Sequence, residues 1–145
     1  MKIRVLVFED DALLRRILKR ALERAGCEVH VFAEPGLCPL FGASPCSCQS
    51  RVCADAIISD LNMPGMSGLE LVERRRHGPC AVRRHLPASG NWTALQLKRA
   101  LELGCEVVQK PFDFAFIIDW VNRCRTTSDR DRELIEWVAN ELPDS

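Results

Sequence analysis

The first thirty-two residues constrain the fold more than any other stretch. Ile3 to Phe8 is an apolar, β-branched run with little alternation, as expected of a central parallel strand covered on both faces. From Ala12 to Ala25, the residues Leu14, Ile17, Leu18, Ala21, Leu22 and Ala25 recur at helical spacing. Arg15, Arg16, Lys19 and Arg20 fall on the opposite side, towards water. Gly26 is a natural helix stop, and Cys27 to Phe32 then alternates like a second strand. A strand, helix, strand succession is a βαβ unit with a right-handed crossover, so the chain is expected to be an α/β protein with a doubly wound parallel sheet.

The rest of the chain continues the pattern with one interruption. Residues 35–53 contain three prolines and two glycines, which break any long helical run, so an irregular segment with at most a short turn of helix is expected there. A buried strand over 54–59 ends in Asp60 and a Pro-Gly turn. A helix is expected from Ser67 to Arg76, stopped by Gly78-Pro79. The fourth strand, near Ala81 to Ala88, is interrupted by Arg83, Arg84, His85 and Pro87. Asn91 or Thr93 opens a helix through Leu103, and Glu106 to Gln109 is a short fifth strand. A last helix covers Phe114 to Arg125. Beyond it, Asp129 to Leu142 is amphipathic, with Leu134, Val138 and Leu142 at four-residue steps and Ser128 as a cap.

Bulk properties narrow the class. A length of 145 residues suits one compact domain, read as residues 1–125 with a helical extension over 126–145. Twenty basic and twenty acidic residues cancel, so nothing electrostatic argues for direct nucleic-acid or membrane binding. No apolar stretch approaches a membrane span and the start is too short for a signal-peptide core, so a soluble, cytoplasmic protein is expected.

Three strands end in groups that carry chemistry: Glu9-Asp10 after the first, Asp60 after the third and Lys110 after the fifth. In a parallel sheet these ends share one edge. Three crowded carboxylates repel one another unless a hard divalent cation such as Mg²⁺ neutralises them. A lysine aimed at the same place can hold a phosphoryl oxygen. Ser89, followed by Gly90, adds a hydroxyl, and an aspartate carboxylate is itself a nucleophile able to form an aspartyl-phosphate. His30 reads as a satisfied core or edge histidine, whereas His77 and His85 read as solvent-facing. The run Arg74-Arg75-Arg76-His77 reads as a solvated helix end.

Together, Glu9-Asp10, Asp60-Leu61-Asn62-Met63-Pro64, Ser89-Gly90 and Lys110-Pro111-Phe112 resemble the signature of response-regulator receiver domains, of the CheY-like, stand-alone type. The resemblance spans about residues 2–125 and implies a flavodoxin-like fold with five parallel strands in the order 2-1-3-4-5, helix 2 being largely replaced by the Cys/Pro-rich segment. It implies that Asp60 accepts a phosphoryl group from a histidine kinase or phosphotransfer protein. Asp10, Asp60 and the Asn62 carbonyl would ligate Mg²⁺, with Glu9 acting through a water. Lys110 would pair with the phosphoryl group and Ser89 would move to bond it. Self-phosphorylation and slow autodephosphorylation would follow, with output through a separate effector protein and a second copy of the chain as a candidate partner. Receivers usually carry an aromatic residue three positions before the lysine. Here that residue is Val107, so readout is expected to rely on Ser89 and the backbone.

The cysteines supply the rival reading. Cys38, Cys46, Cys48 and Cys53 are spaced C-x7-C-x-C-x4-C on the Pro/Gly-rich segment, where four thiolates could close a tetrahedral Zn²⁺ site. The spacing is not that of a standard ribbon or finger, and an iron–sulfur cluster, a redox pair or reduced cysteines acting as small hydrophobes also fit. In that reading the chain is a metal- or redox-sensing interaction module on a receiver scaffold. A haloacid-dehalogenase-type phosphatase would want a second aspartate where Asn62 stands.

Overall fold

A computed structural model describes residues 2–34, 51–63, 65–77, 82, 84–127 and 132–134. The elements in chain order are β1 (Arg4–Phe8), α1 (Ala12–Arg24), β2 (Glu28–Phe32), β3 (Arg51–Val52), β4 (Ala56–Asp60), α2 (Gly68–His77), β5 (Arg84–Ser89), α3 (Ala94–Glu102), β6 (Val108–Gln109), α4 (Phe114–Thr127) and β7 (Glu133–Leu134). Five strands form a parallel sheet ordered β2-β1-β4-β5-β6. Counted among themselves, these strands run 2-1-3-4-5, the expected flavodoxin-like order. The order reverses between β1 and β4, and open α/β sheets place their crevice at such a reversal.

The central strands are buried on both faces because their side chains alternate between two layers. Val5 and Val7 of β1 pack in one layer with Leu18 and Leu22 of α1 and with Ile117, Trp120 and Val121 of α4. Leu6 and Phe8 pack in the other with Phe32, Ile57 and Leu71, and the Phe8 and Phe32 rings stack at 5.6 Å. α1 starts where the Asp11 carboxylate accepts the Leu13 and Leu14 N–H groups at 2.9 and 3.1 Å. Past its end the chain turns at Gly26, whose φ of 87° no L side chain adopts easily. α3 opens on a complete capping box, with Thr93 and Gln96 bonding each other's backbone. Among the described residues, no helix is long and apolar enough to cross a membrane.

The fourth core strand, the one the sequence marks least clearly, is β5. It tolerates Pro87 for a geometric reason. Leu61 N–H bonds the Ala88 carbonyl at 2.7 Å and Lys110 N–H bonds the Ser89 carbonyl at 2.8 Å, so alternate residues face β4 and β6. Pro87 therefore faces β6, whose ladder begins only at Ala88 opposite Val108. The N–H that proline lacks falls before any strand partner starts.

Three local expectations are corrected. His85 is buried, its ring near the Val82 carbonyl at 3.4 Å, because β5 lies inside the sheet and covers both its faces. Arg75 is buried as well, with its guanidinium 3.8 Å from Cys53 Sγ, because α2 turns that side onto the core rather than to water. In the terminal segment, Glu133–Leu134 is a strand paired in parallel with Arg51–Val52 where helical spacing predicts helix. Arg132 explains this: its guanidinium grips both Asp55 carboxylate oxygens at 2.6 Å and the Lys2 carbonyl at 3.0 Å, holding the next residues beside β3. Residues 35–50 and 135–145 lie outside the described residues.

Candidate phosphorylation site

Glu9 and Asp10 follow β1, Asp60 ends β4 and Lys110 follows β6, and the carboxyl edge of the sheet brings all four together. One carboxylate oxygen from each of Glu9, Asp10 and Asp60 lies within 4.8 Å of the others. Glu9 and Asp60 are buried while Asp10 stays exposed. Lys110 Nζ donates to both Glu9 oxygens at 3.0 and 2.8 Å and stands 3.4 Å from Asp60 Oδ2. The Asn62 N–H donates to Asp60 Oδ1 at 3.2 Å. An open cavity of about 560 Å³ adjoins Asp10 and Asn62, walled by Met63, Met66, Ser67 and Glu70.

The charges do not balance. Burial pushes the Glu9 carboxyl above the usual carboxylate range, Lys110 opposes that and the Asp60 charge adds to it. Burial also raises Asp60, against the Asn62 N–H and Lys110, with Asp10 adding repulsion. Burial works against the Lys110 ammonium as well, but its bonds to Glu9 and the Asp60 charge outweigh it and its pKa rises. One ammonium among three carboxylates leaves the group short of positive charge. Hard oxygen donors with an open side at Asp10 fit a divalent cation such as Mg²⁺.

Ser89 ends β5, next to Ala88, which lies opposite Asp60 in the ladder. Its side chain is buried and its Oγ accepts the Asn91 N–H at 3.1 Å. The expected residues Glu9, Asp10, Asp60, Asn62, Ser89 and Lys110 therefore gather at one edge. Two contributors escaped the sequence reading. Arg15, placed towards water by helical spacing, donates through Nη1 to the Glu9 and Asp10 carbonyls at 2.9 and 3.1 Å and so holds the loop that carries the acids. Gly68 lets the start of α2 pass Asp60, since a Cβ there would lie 2.8 Å from the Asp60 carbonyl oxygen and 2.9 Å from Ser59 Oγ. A glycine eight positions after the aspartate was the available signal for the second; nothing local marked the first.

Of the four loop cysteines, Cys38, Cys46 and Cys48 lie outside the described residues. Cys53 is fully buried in the layer of Leu6, Phe8 and Phe32, a seat for a small hydrophobe. Elsewhere burial pushes the Cys124 thiol up to about 11, and the buried Cys27 is raised too, so neither thiol is poised for reaction.

Comparison with known proteins agrees with this geometry. The model of the response regulator receiver domain family matches residues 5–122. A protein-glutamate methylesterase/protein-glutamine glutaminase of Anaeromyxobacter dehalogenans is 36% identical over 112 residues, 74% of this chain and 29% of that protein. Chemotaxis protein CheY1 of Helicobacter pylori is 36% identical over 73 residues, 50% of this chain and 55% of the relative. The chain thus spans less than a third of the methylesterase relative's length and about half of the chemotaxis protein's. Among solved structures, chemotaxis protein CheY4 of Vibrio cholerae superposes with a TM-score of 0.67 at 24% identity, covering 86% of this chain and 99% of that one. A response regulator from Chloroflexus aurantiacus gives 0.69 at 22% identity over 87% and 99%. At these identities the two structures speak for the fold, and the family match decides the kinship: the chain belongs to the response regulator receiver domain family, the phosphoacceptor module of two-component signalling.

Proposed function

We infer that Asp60 is the phosphoacceptor and that Glu9, Asp10, Ser89 and Lys110 are the groups that make it one. The observation that carries this reading is the meeting of three carboxylates within 4.8 Å with the Lys110 ammonium 3.4 Å from Asp60 Oδ2. An Asp60 oxygen attacks the phosphorus of a phosphohistidine on a histidine kinase or phosphotransfer protein. The new O–P bond forms as the P–N bond breaks, and the electron pair returns to the imidazole nitrogen, which takes up a proton. Lys110 holds a phosphoryl oxygen as a point charge, and Ser89 donates its hydroxyl to another. Glu9, Asp10, Asp60 and Asn62 would hold Mg²⁺, which would supply the positive charge that the three carboxylates lack.

Water attacking the same phosphorus releases inorganic phosphate and restores the carboxylate, which makes the signal self-limiting. The unit that does this is residues 1–125, with 126–145 as an extension. Its setting is the cytoplasm, and its output is contact with a separate effector protein. Intact mass after incubation with acetyl phosphate and Mg²⁺ tests the assignment. One phosphoryl adduct is expected, absent in chelator and absent in Asp60→Asn. An adduct that survives in Asp60→Asn would place the acceptor elsewhere.

A further inference from the structure

Asp10 is the exposed carboxylate of the acidic group, so its place is set largely by the backbone that carries it. The Asp10 carbonyl accepts Arg15 Nη1 at 3.1 Å, and among the described residues this is the one hydrogen bond that the Asp10 backbone makes. The same nitrogen donates to the Glu9 carbonyl at 2.9 Å. Two successive carbonyls meet one donor only where the chain turns, so this contact fixes the point at which the chain leaves β1. Glu9 has further ties. Its N–H bonds the Phe32 carbonyl at 3.0 Å, and its carboxylate accepts both Lys110 Nζ and, at 3.3 Å, the Asp11 N–H. Asp10 shares none of these, and its backbone depends on Arg15.

Helix α1 supplies the reach. Arg15 is anchored in its opening turn, where the Arg15 N–H bonds the Asp11 carbonyl at 2.9 Å. Helical side chains lean towards the N-terminus, so this one runs back over that turn to the loop. The planar guanidinium then offers a charged donor in a fixed direction. It bonds backbone carbonyls and, among the described residues, pairs with none of the three carboxylates. Its Nε is buried and bonds nothing among the described residues. Burying an N–H without a partner is costly, so the two Nη1 bonds are what hold the guanidinium in place. An arginine paired with the carboxylates would cancel their excess charge. This one orders the loop and leaves that charge for a cation.

We propose that Arg15 is a positioning residue for the divalent cation: by holding the Asp10 carbonyl it presents the Asp10 carboxylate beside Glu9 and Asp60, and so sets how tightly the site takes the ion. The proposal rests on the cation and phosphoacceptor reading of this site given above. Removing a group that orients a metal ligand typically weakens metal binding by about ten- to a hundred-fold. The test titrates Mn²⁺, which takes the same hard oxygen ligands, and reads the free ion by its electron paramagnetic resonance signal with no phosphodonor present. Arg15→Met keeps the apolar stem and removes both bonds. Arg15→Lys keeps a charged donor for one carbonyl.

Arg15→Met should bind Mn²⁺ about ten-fold more weakly than wild type, with Arg15→Lys between the two. In an Asp10→Asn background Arg15→Met should add less than about two-fold, because the arginine acts through that carboxylate. The Mg²⁺ concentration that gives half the maximal rate of acetyl phosphate adduct formation should rise by the same factor, and by more than the maximal rate falls. Wild-type affinity in Arg15→Met would overturn the positioning role. An undiminished loss in the Asp10→Asn background would overturn it too, because the whole pocket would then have loosened. Should Arg15→Met not fold, Arg15→Lys decides alone, and wild-type affinity in it would overturn the proposal. Wild-type protein that takes no Mn²⁺, or takes it equally well after Asp60→Asn, would remove the cation reading and the proposal with it.

Discussion

Neutralising Asp60 should stabilise the metal-free protein, an unusual expectation for the central residue of a site. At an effective dielectric of about 20, two carboxylates inside 4.8 Å repel by roughly 3–4 kcal/mol. Asp60 has two such neighbours, Glu9 and Asp10. The Lys110 ammonium at 3.4 Å returns about 5 kcal/mol of attraction on the same scale. Repulsion therefore exceeds attraction, and the exposure of Asp10 to screening solvent trims the surplus to about 1–2 kcal/mol. Asp60→Asn retains an acceptor for the Asn62 N–H at Oδ1 and loses only the charge. Thermal unfolding in chelator should place the variant about 3–8 °C above wild type. Mg²⁺ should then reverse the order: wild type gains about 2.7 kcal/mol at a hundred times its dissociation constant, whereas the variant gains little. A variant less stable than wild type in chelator, or an equal Mg²⁺ response in both, would refute the charge argument.

The same imbalance sets a pH dependence. Glu9 and Asp60 are raised in the folded state, so folding takes up protons there and the metal-free protein loses stability as pH climbs above the ordinary carboxylate range of about 4; Mg²⁺ or Asp60→Asn should flatten that slope in chemical-denaturation midpoints. Gly68→Ala should cost about 2 kcal/mol or more and reduce the acetyl phosphate adduct, because the new methyl drives against the Asp60 carbonyl; wild-type stability together with wild-type adduct yield would show that the close approach is immaterial. Arg132→Ala should cost about 2–3 kcal/mol in urea unfolding, since the Asp55 carboxylate stays buried and, among the described residues, keeps the Arg4 N–H, at 2.8 Å, as its donor. That loss should leave the adduct yield unchanged, as the clamp lies at the end of β4 opposite Asp60.

Much of the chemistry was legible from local sequence because a parallel sheet converts order along the chain into proximity. Once Ile3–Phe8, 54–59 and Glu106–Gln109 read as parallel strands, Glu9-Asp10, Asp60 and Lys110 had to meet at one edge, whatever the details of packing. Glycine stops such as Gly26 and the Thr93 cap were equally readable, because turn and cap geometry depends on a few neighbouring residues. Strand β5 was blurred because Arg84, His85 and Pro87 contradict strand propensity, and only its place between β4 and β6 makes them acceptable.

By itself the sequence determined the α/β class, the strand order through the family signature, and the set of residues that converge on the acidic pocket. The tertiary structure alone decided that His85 and Arg75 are buried, that Arg132 reaches Asp55, that Glu133–Leu134 runs beside Arg51–Val52, and that Trp92 bonds the Val108 carbonyl. The physical reason is range. Periodicity, caps and turn residues act over one or two turns of chain, whereas these contacts join side chains whose separation is closed only when the sheet assembles, and an arginine or tryptophan carries no local mark of the distant group it will meet.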